Sequence, residues 1–326
     1  MTVEAEDLKE KLSAAVPDIG AVVSIARLSG GASQETWLVE AARKFILRRT
    51  PGGVARGTSE TAVPLATEAA VISAAHAGGV PVPSVHWVSP ENGPVGVGYL
   101  MEHVPGETIP RKILRDAEFT AIRPLLARQC GQVLAKIHRV PVASLPKLNV
   151  NDARTQWNTY RDIYDSYDYP HPVFEAAFKW LEDRLPERPD VSLVHGDFRH
   201  GNLMIGPDGL RAVLDWELTH LGDPAEDLGW ICVNSWRFGN AAKVVGGFGD
   251  VADLLAGYAE AGGGPMTTER VKFWEIFGTL KWGIMCMTMY KAFATGADAS
   301  VERAAIGRRS SETEIDLVNL IYGSAG

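Results

Sequence analysis

The segment LVHGDFRHGNLMIGPDGLRAVLDWE, residues 193–217, gathers two His, an Asn, two Arg and several carboxylates around two short apolar runs. LMI (203–205) and LRAVL (210–214) read as strands, and Gly206-Pro207-Asp208-Gly209 between them is a strong turn signal. With that turn centred between Asp208 and Gly209, position 202 pairs with 215. Asn202 and Asp215 are then expected side by side at the open end of a hairpin, about 5 Å apart. One amide oxygen and one carboxylate at that spacing suit Mg²⁺, which takes few protein oxygens and keeps the rest of its shell for water and phosphate. Asp197, in the loop feeding the first strand, is placed to accept or orient the proton of an attacking hydroxyl. Arg199 offers a fixed positive charge for a transferring phosphoryl group. Together these residue types describe phosphoryl transfer.

The elements that must position them divide at PGE, 105–107. Before it, residues 5–15 read as an amphipathic helix, VVSIARLSGGASQETWLVEA as strand, glycine turn and strand, and KFILRR as a third strand. PLATEAAVISAAHAGG has helical periodicity with Pro64 near its start and Gly78-Gly79 past its end, and two further strands follow. Beyond PGE, helical patterns dominate: 116–139, 151–165, 172–185, 224–236, 250–262, 267–294 and 299–322. The expected fold class is α+β, a smaller mixed lobe over 1–102, a connector at 103–107 and a larger helical lobe over 108–326.

The 326 residues are 46% hydrophobic and 22% charged, an ordinary globular composition. A net charge of −8 without a Lys/Arg block argues against nucleic acid as a partner. Three widely spaced cysteines, Cys130, Cys232 and Cys286, make neither a disulfide framework nor a metal motif. With a polar, acidic N-terminus, the expectation is a cytoplasmic protein. The most apolar late run, WGIMCMTMY (282–290), is too short for a bilayer, so no membrane is expected and the run reads as core helix. The expected partner is a small molecule bearing a hydroxyl, bound by a monomer or homodimer.

HGDFRHGN followed by LDWE resembles the H-G-D-x-x-x-x-N and D-x-[DE] motifs of the aminoglycoside phosphotransferase/choline kinase-like family, small-molecule relatives of the protein kinases. The likeness continues through the glycine turn near 30, the strand at 45–49, the helix with Glu68, YLMEHVPG, LAKIHRV and LGDPAEDLGW. It implies a two-lobed protein-kinase-like fold, with a small antiparallel-sheet N-lobe, a hinge and a mainly helical C-lobe. It implies Asp197 as catalytic base, Asn202 and Asp215 as Mg²⁺ ligands, and His195 as a brace of the catalytic loop. Met101, Glu102, His103 and Val104 would meet adenine through their backbone. Ser29, Gly30, Gly31, Ala32 and Ser33 would cover the phosphates. The cofactors implied are ATP, or another nucleoside triphosphate, and Mg²⁺. The acidic chain allows a cationic, aminoglycoside-like acceptor, and the Trp- and Met-rich late helices point to a hydroxyacyl-type one.

The chain departs from the pattern in two places. It has no G-x-G-x-x-G or Walker A run. Where the family usually carries a strand lysine, this strand reads KFILRR, with Lys44, Ile46 and Arg48 on one face. Ile46 takes the adenine-side place, and Arg48 takes the lysine role paired with Glu68. This occurs in a subset resembling the kinase-like domains joined to acyl-CoA dehydrogenases. The alternative is a surface Arg pair on an edge strand. Two other functions stay open: a nucleotide-binding pseudokinase, and a metal hydrolase built on His195, Asp197, His200 and His220. His200 reads as an exposed loop residue or substrate contact, and His138 as structural at a helix end. Asp223 reads as the cap of PAEDLGW, and Asp227 as a support below the catalytic loop. Glu217 reads equally as metal helper or brace, and the Trp/Met stripe of 267–294 as core.

Overall fold

The computed structural model describes residues 3–28, 34–53, 62–90, 92–167, 169–186 and 191–323. Contacts group the chain into two compact units. The first is Met1–Thr108, Val140–Leu148 and Asn202–Thr219; the second is Ile109–Arg139, Asn149–Gly201 and His220–Gly326.

The first unit opens with helix α1 (Val3–Ala15) and strands β1 (Ser24–Arg27), β2 (Glu35–Glu40) and β3 (Lys44–Arg49). Helix α2 (Leu65–Ala77), β4 (Val85–Val88) and β5 (Gly98–Glu102) follow. The five strands form one antiparallel sheet in the order β1-β2-β3-β5-β4, so β3 is central and Arg48 does not sit on an edge strand. Alternation along KFILRR sends Phe45, Leu47 and Arg49 to the buried face, where the two apolar residues join Trp37, Val39 and the α1 leucines Leu8 and Leu12. Ile46 and Arg48 take the opposite face, as the alternation predicts. The buried Arg49 is matched by Glu35, with Nε donating to Oε2 at 2.7 Å. Helix α2 ends with Gly79 at φ +77°, whose amide and that of Val80 donate to His76 and Ala75 carbonyls at 3.0 Å each.

The chain enters the second unit with α3 (Pro110–Arg115), α4 (Leu126–His138), α5 (Ala153–Asp165), α6 (Pro172–Glu182) and the short strand β6 (Ser192–Val194). The helix expected over 116–139 begins only at Leu126, after 3₁₀ turns at Ala117–Phe119 and Arg123–Leu125. Pro124 fits a first turn but not a helix interior. The chain returns to the first unit for the hairpin β7 (Leu203–Gly206) and β8 (Gly209–Val213).

The hairpin register corrects the expectation by one residue. Gly206 faces Gly209 and Ile205 faces Leu210, a bulge follows, and Leu203 faces Val213. The Leu214 amide then donates to the Asn202 carbonyl at 2.8 Å, so Asn202 lies opposite Leu214, not Asp215. Pro207-Asp208 forms a two-residue loop, and the bulge shifts the open end.

Strand β9 (His220–Gly222) pairs antiparallel with β6, with Val194 opposite His220. Helices α7 (Ala225–Trp230), α8 (Val251–Glu260), α9 (Thr268–Ala294), α10 (Val301–Gly307) and α11 (Ser310–Tyr322) complete the unit. The stripe on α9 is core: Trp274, Phe277, Leu280 and Ile284 pack with Phe174, Phe178 and Leu317. Each such fully buried large side chain contributes roughly 1.5–3 kcal/mol. Among the described residues, no helix is long and apolar enough to cross a membrane.

Helices α4 and α8 make the contact that matters most for the site. Along α4 the residues Leu126, Cys130, Val133, Leu134 and Ile137 recur at helical spacing and are buried. A Cβ on Gly131 would collide with the Leu254 carbonyl oxygen, and one on Gly257 with the Arg128 carbonyl oxygen. The two glycines let the helix backbones touch. Gly131→Val should therefore lower stability by about 1–3 kcal/mol or more in urea unfolding. Gly264→Ala, where an added Cβ meets nothing within 4 Å, should shift it by less than about 0.5 kcal/mol.

Candidate active site

The second unit holds Asp197. Strand β6, with Leu193 and Val194 fully buried, delivers the chain to His195. The next two amides are pinned by one carboxylate: Asp227 accepts from His195 N at 2.9 Å and from Gly196 N at 3.0 Å. His138 at the end of α4 places Nε2 3.1 Å from Asp227 Oδ2 and Nδ1 3.0 Å from the Tyr258 hydroxyl of α8. Burial alone would raise the Asp227 pKa, but these hydrogen bonds and the neighbouring histidines outweigh it and hold it below the ordinary 3.8. The support role read for Asp227 and the structural role read for His138 are both visible here. Asp223 caps α7 through Ala225 N at 2.8 Å and also receives Arg270 and Trp274, at 2.6 and 3.0 Å.

The Asp197 carboxylate is tightly held. Trp230 Nε1 donates to Oδ1 at 2.8 Å, and Arg199 Nε donates to both oxygens at 3.0 and 3.1 Å. The Arg199 guanidinium lies 4.8 Å from the Trp236 ring centroid, and Trp236 packs on Trp230 and Trp282. Buried Lys281 stands 5.2 Å from the Trp230 ring and 3.4 Å from Glu226 Oε1. Burial weakens its charge, while Tyr160 and Glu226 outweigh that and raise its pKa.

The first unit holds Arg48, Glu68, Asn202 and Asp215. The Arg48 guanidinium reaches Asp215 Oδ1 at 2.9 Å and Glu68 Oε1 at 3.5 Å, with Gln34 Oε1 accepting from Nη2 at 2.7 Å. Burial disfavours its charge, but Glu68 and Asp215 outweigh that and raise the Arg48 pKa. Glu68 is wholly buried, and burial pushes its pKa up against the pull of Arg48. Asn202 is buried at the open end of the hairpin. Asp215 has φ +66°, a left-handed conformation costing about 1–2 kcal/mol in a non-glycine residue. It is imposed by fixed flanks: Trp216 is fully buried, and the Val63 amide donates to the Glu217 carbonyl at 2.8 Å. The Glu217 side chain accepts from Gln34 Nε2 at 3.1 Å. An amide oxygen at 202 and a carboxylate at 215 form a hard-donor set that fits Mg²⁺.

Of the expected adenine-side residues, Ile46 faces Met101 across β3 and β5. The Glu102 amide donates to Ser84 O at 2.9 Å and the His103 amide to Lys44 O at 3.4 Å. Ser29, Gly30, Gly31, Ala32 and Ser33 lie outside the described residues.

His200 corrects its reading. It is fully buried, with Nδ1 2.7 Å from Gly246 O and its ring against Phe238 and Phe248, and burial pushes its pKa down to about 4. It is neither exposed nor a substrate contact. Among the described residues, no group of three or more His, Cys, Asp and Glu side chains converges as a metal site, and His220 is engaged with Glu226 at 3.0 Å. Trp230, Gln34 and Lys281 were not singled out by sequence. Only Trp230, at the end of LGDPAEDLGW, stood in a stretch already marked.

The profile of the family described as "Phosphotransferase enzyme family" matches residues 24–264. Acyl-CoA dehydrogenase family member 10 of Mus musculus is 30% identical over 233 residues, covering 68% of this chain and 21% of that protein. The chain thus spans only a part of such curated relatives. A crystal structure of a choline/ethanolamine kinase family protein from Mesorhizobium loti superposes with TM-score 0.67 at 18% identity, covering 98% and 96% of the two chains. A spectinomycin phosphotransferase in complex with ADP and spectinomycin gives TM-score 0.62 at 13% identity over 97% and 99%. The expected two-lobed kinase-like α+β fold is the fold of this chain.

The Asp227 cluster sets an acid response. The folded pKa values of Asp227 and Glu226 lie below their ordinary values, so both contribute stability that is full above those values and lost as pH falls through the folded ones. Asp227→Asn should cost about 3–5 kcal/mol at neutral pH. It should also show a smaller further loss than wild type as pH falls below the ordinary carboxylate value of 3.8, read by chemical unfolding across pH.

Proposed function

The chain belongs to the phosphotransferase enzyme family, and from that premise we propose that it transfers the γ-phosphoryl group of ATP, with Mg²⁺, to a hydroxyl of a small molecule. The observation that carries this reading is the Asp197 carboxylate, oriented by the Trp230 indole N–H and by Arg199. In the transfer, Asp197 accepts the proton of the attacking hydroxyl as the O–P bond forms, and ADP leaves with the electron pair of the broken bond. Trp230 fixes which carboxylate oxygen turns to the hydroxyl. Arg199 gives fixed positive charge for the transferring phosphoryl group.

In the first unit, Arg48 is the cation for the nucleotide phosphates, anchored from below by Glu68. Asn202 and Asp215 are the residues that would hold Mg²⁺, which when bound supplies neutralisation of phosphate charge. Adenine is read by the backbone of Met101–Val104 beside Ile46. The ADP bound by the spectinomycin relative supports an adenine nucleotide here.

Asp197→Ala should lower acceptor-dependent ATP turnover by roughly 10²–10⁴-fold while ATP still protects the protein in thermal shift. Turnover equal to wild type would overturn the role of Asp197. Trp230→Phe keeps an aromatic ring, though a smaller one, and removes the N–H, so it should lower kcat by about tenfold with little change in KM for ATP.

A further inference from the structure

The second unit contains a cavity of about 870 Å³ that none of the roles above uses. That volume lies within the ordinary range for small-molecule sites. Its wall joins the start of α3, the turn after Val233 and helix α11. Three arginines face it, Arg111, Arg115 and Arg309, against two carboxylates, Glu312 and Asp316. Both carboxylates are already engaged: Arg309 Nε donates to Glu312 Oε2 at 3.0 Å, and Asn234 Nδ2 donates to Asp316 Oδ1 at 2.9 Å. Among the described residues, neither Arg111 nor Arg115 pairs with a carboxylate. The cavity is therefore locally cationic in a chain of net charge −8. Ile109, Pro110, Phe238 and Ala241 add apolar wall.

The cavity adjoins the Asp197 loop. Gly201 has Arg199 Nη1 and Pro110 Cγ at 2.7 and 3.9 Å from where a Cβ would stand, and Pro110 is part of the cavity wall. Trp236, beneath the Arg199 guanidinium, directly follows the wall residues Asn234 and Ser235. An acceptor seated in this cavity thus has the residues that hold the Asp197 carboxylate on one side of it.

We propose that this cavity binds the acceptor by an anionic end group, a carboxylate or a phosphate, received by Arg111 and Arg115, with an apolar body along Ile109 and Phe238. The word acceptor rests on the kinase reading above; the anion site does not. A polycationic sugar meets repulsion from the unpaired guanidinium groups of Arg111 and Arg115, whereas an anion gains charge-assisted, bidentate hydrogen bonds.

The test is calorimetric binding of four matched probes to the intact protein: a hydroxyalkyl carboxylate, its phosphate monoester analogue, its neutral methyl ester and its trimethylammonium analogue. The two anions should bind more tightly than the ester, and the ammonium compound most weakly. The ratio between carboxylate and phosphate tells which of the two groups the site prefers. Both arginines are exposed, so the double variant Arg111→Glu/Arg115→Glu should fold, and ATP protection in thermal shift should equal wild type. Anion affinity should fall about tenfold or more, with ester binding unchanged. Equal binding of all four probes, a preference for the ammonium compound, or an anion preference unaffected by the double variant would overturn the site. If anions bind through these arginines yet no probe is phosphorylated, the site stands and the kinase reading is what fails.

Discussion

Asp227 is buried completely, and an ionised carboxylate without partners could not remain there. It remains because two backbone amides and a histidine converge on it. The two amides come from the loop after β6 and the histidine from α4, so the carboxylate fixes these elements against one another. The amides set the start of the loop that carries Asp197. His138 ties in α4, and through the Tyr258 hydroxyl α8. That last link requires the close helix contact made possible by Gly131 and Gly257. Removing the charge would therefore loosen a three-way junction and leave donors unsatisfied.

Both units present an aspartate held by an arginine. Asp197 is held by Arg199 in the second unit, and Asp215 by Arg48 in the first. The settings differ. Arg199 is partly exposed and stacks on Trp236, which suits a charge that must yield to an incoming substrate. Arg48 is deeply placed with Glu68 behind it, which suits a permanent anchor. The left-handed backbone at Asp215 is strain held by its buried neighbours, of the kind that aims a side chain at a functional position.

Much of this was legible in the sequence because strong local signals agreed. The alternation of KFILRR put Arg48 on the face opposite Phe45 and Leu47, and the spacing of Asp197, Asn202 and Asp215 marked the right loop and hairpin. What was not legible depends on contacts distant in sequence. The hairpin loop is centred on Pro207-Asp208, one residue earlier than expected, and the bulge between Met204 and Ile205 gives back only part of that offset, so the open end is off by one residue; nothing in LMIGPDGLRAV distinguishes a bulged from a regular hairpin. His200 sits in a polar loop motif, yet its ring is buried by Phe238 and Phe248, nearly forty and fifty residues further on. Strand β9 is three residues long, too short for any periodicity, and exists because β6 needs a partner. Trp230 reads as an apolar residue of a short helix until its N–H is seen on Asp197. The arginine-lined cavity joins segments near 110, 235 and 312 that share no motif.

The central claim is that phosphoryl transfer ends on an acceptor hydroxyl. Phosphorus NMR of the protein with ATP, Mg²⁺ and a hydroxylated anionic acceptor tests it directly. A phosphomonoester resonance growing in step with ADP is the predicted result. ADP accompanied only by inorganic phosphate, or ATP left unconsumed with every acceptor, would contradict the account.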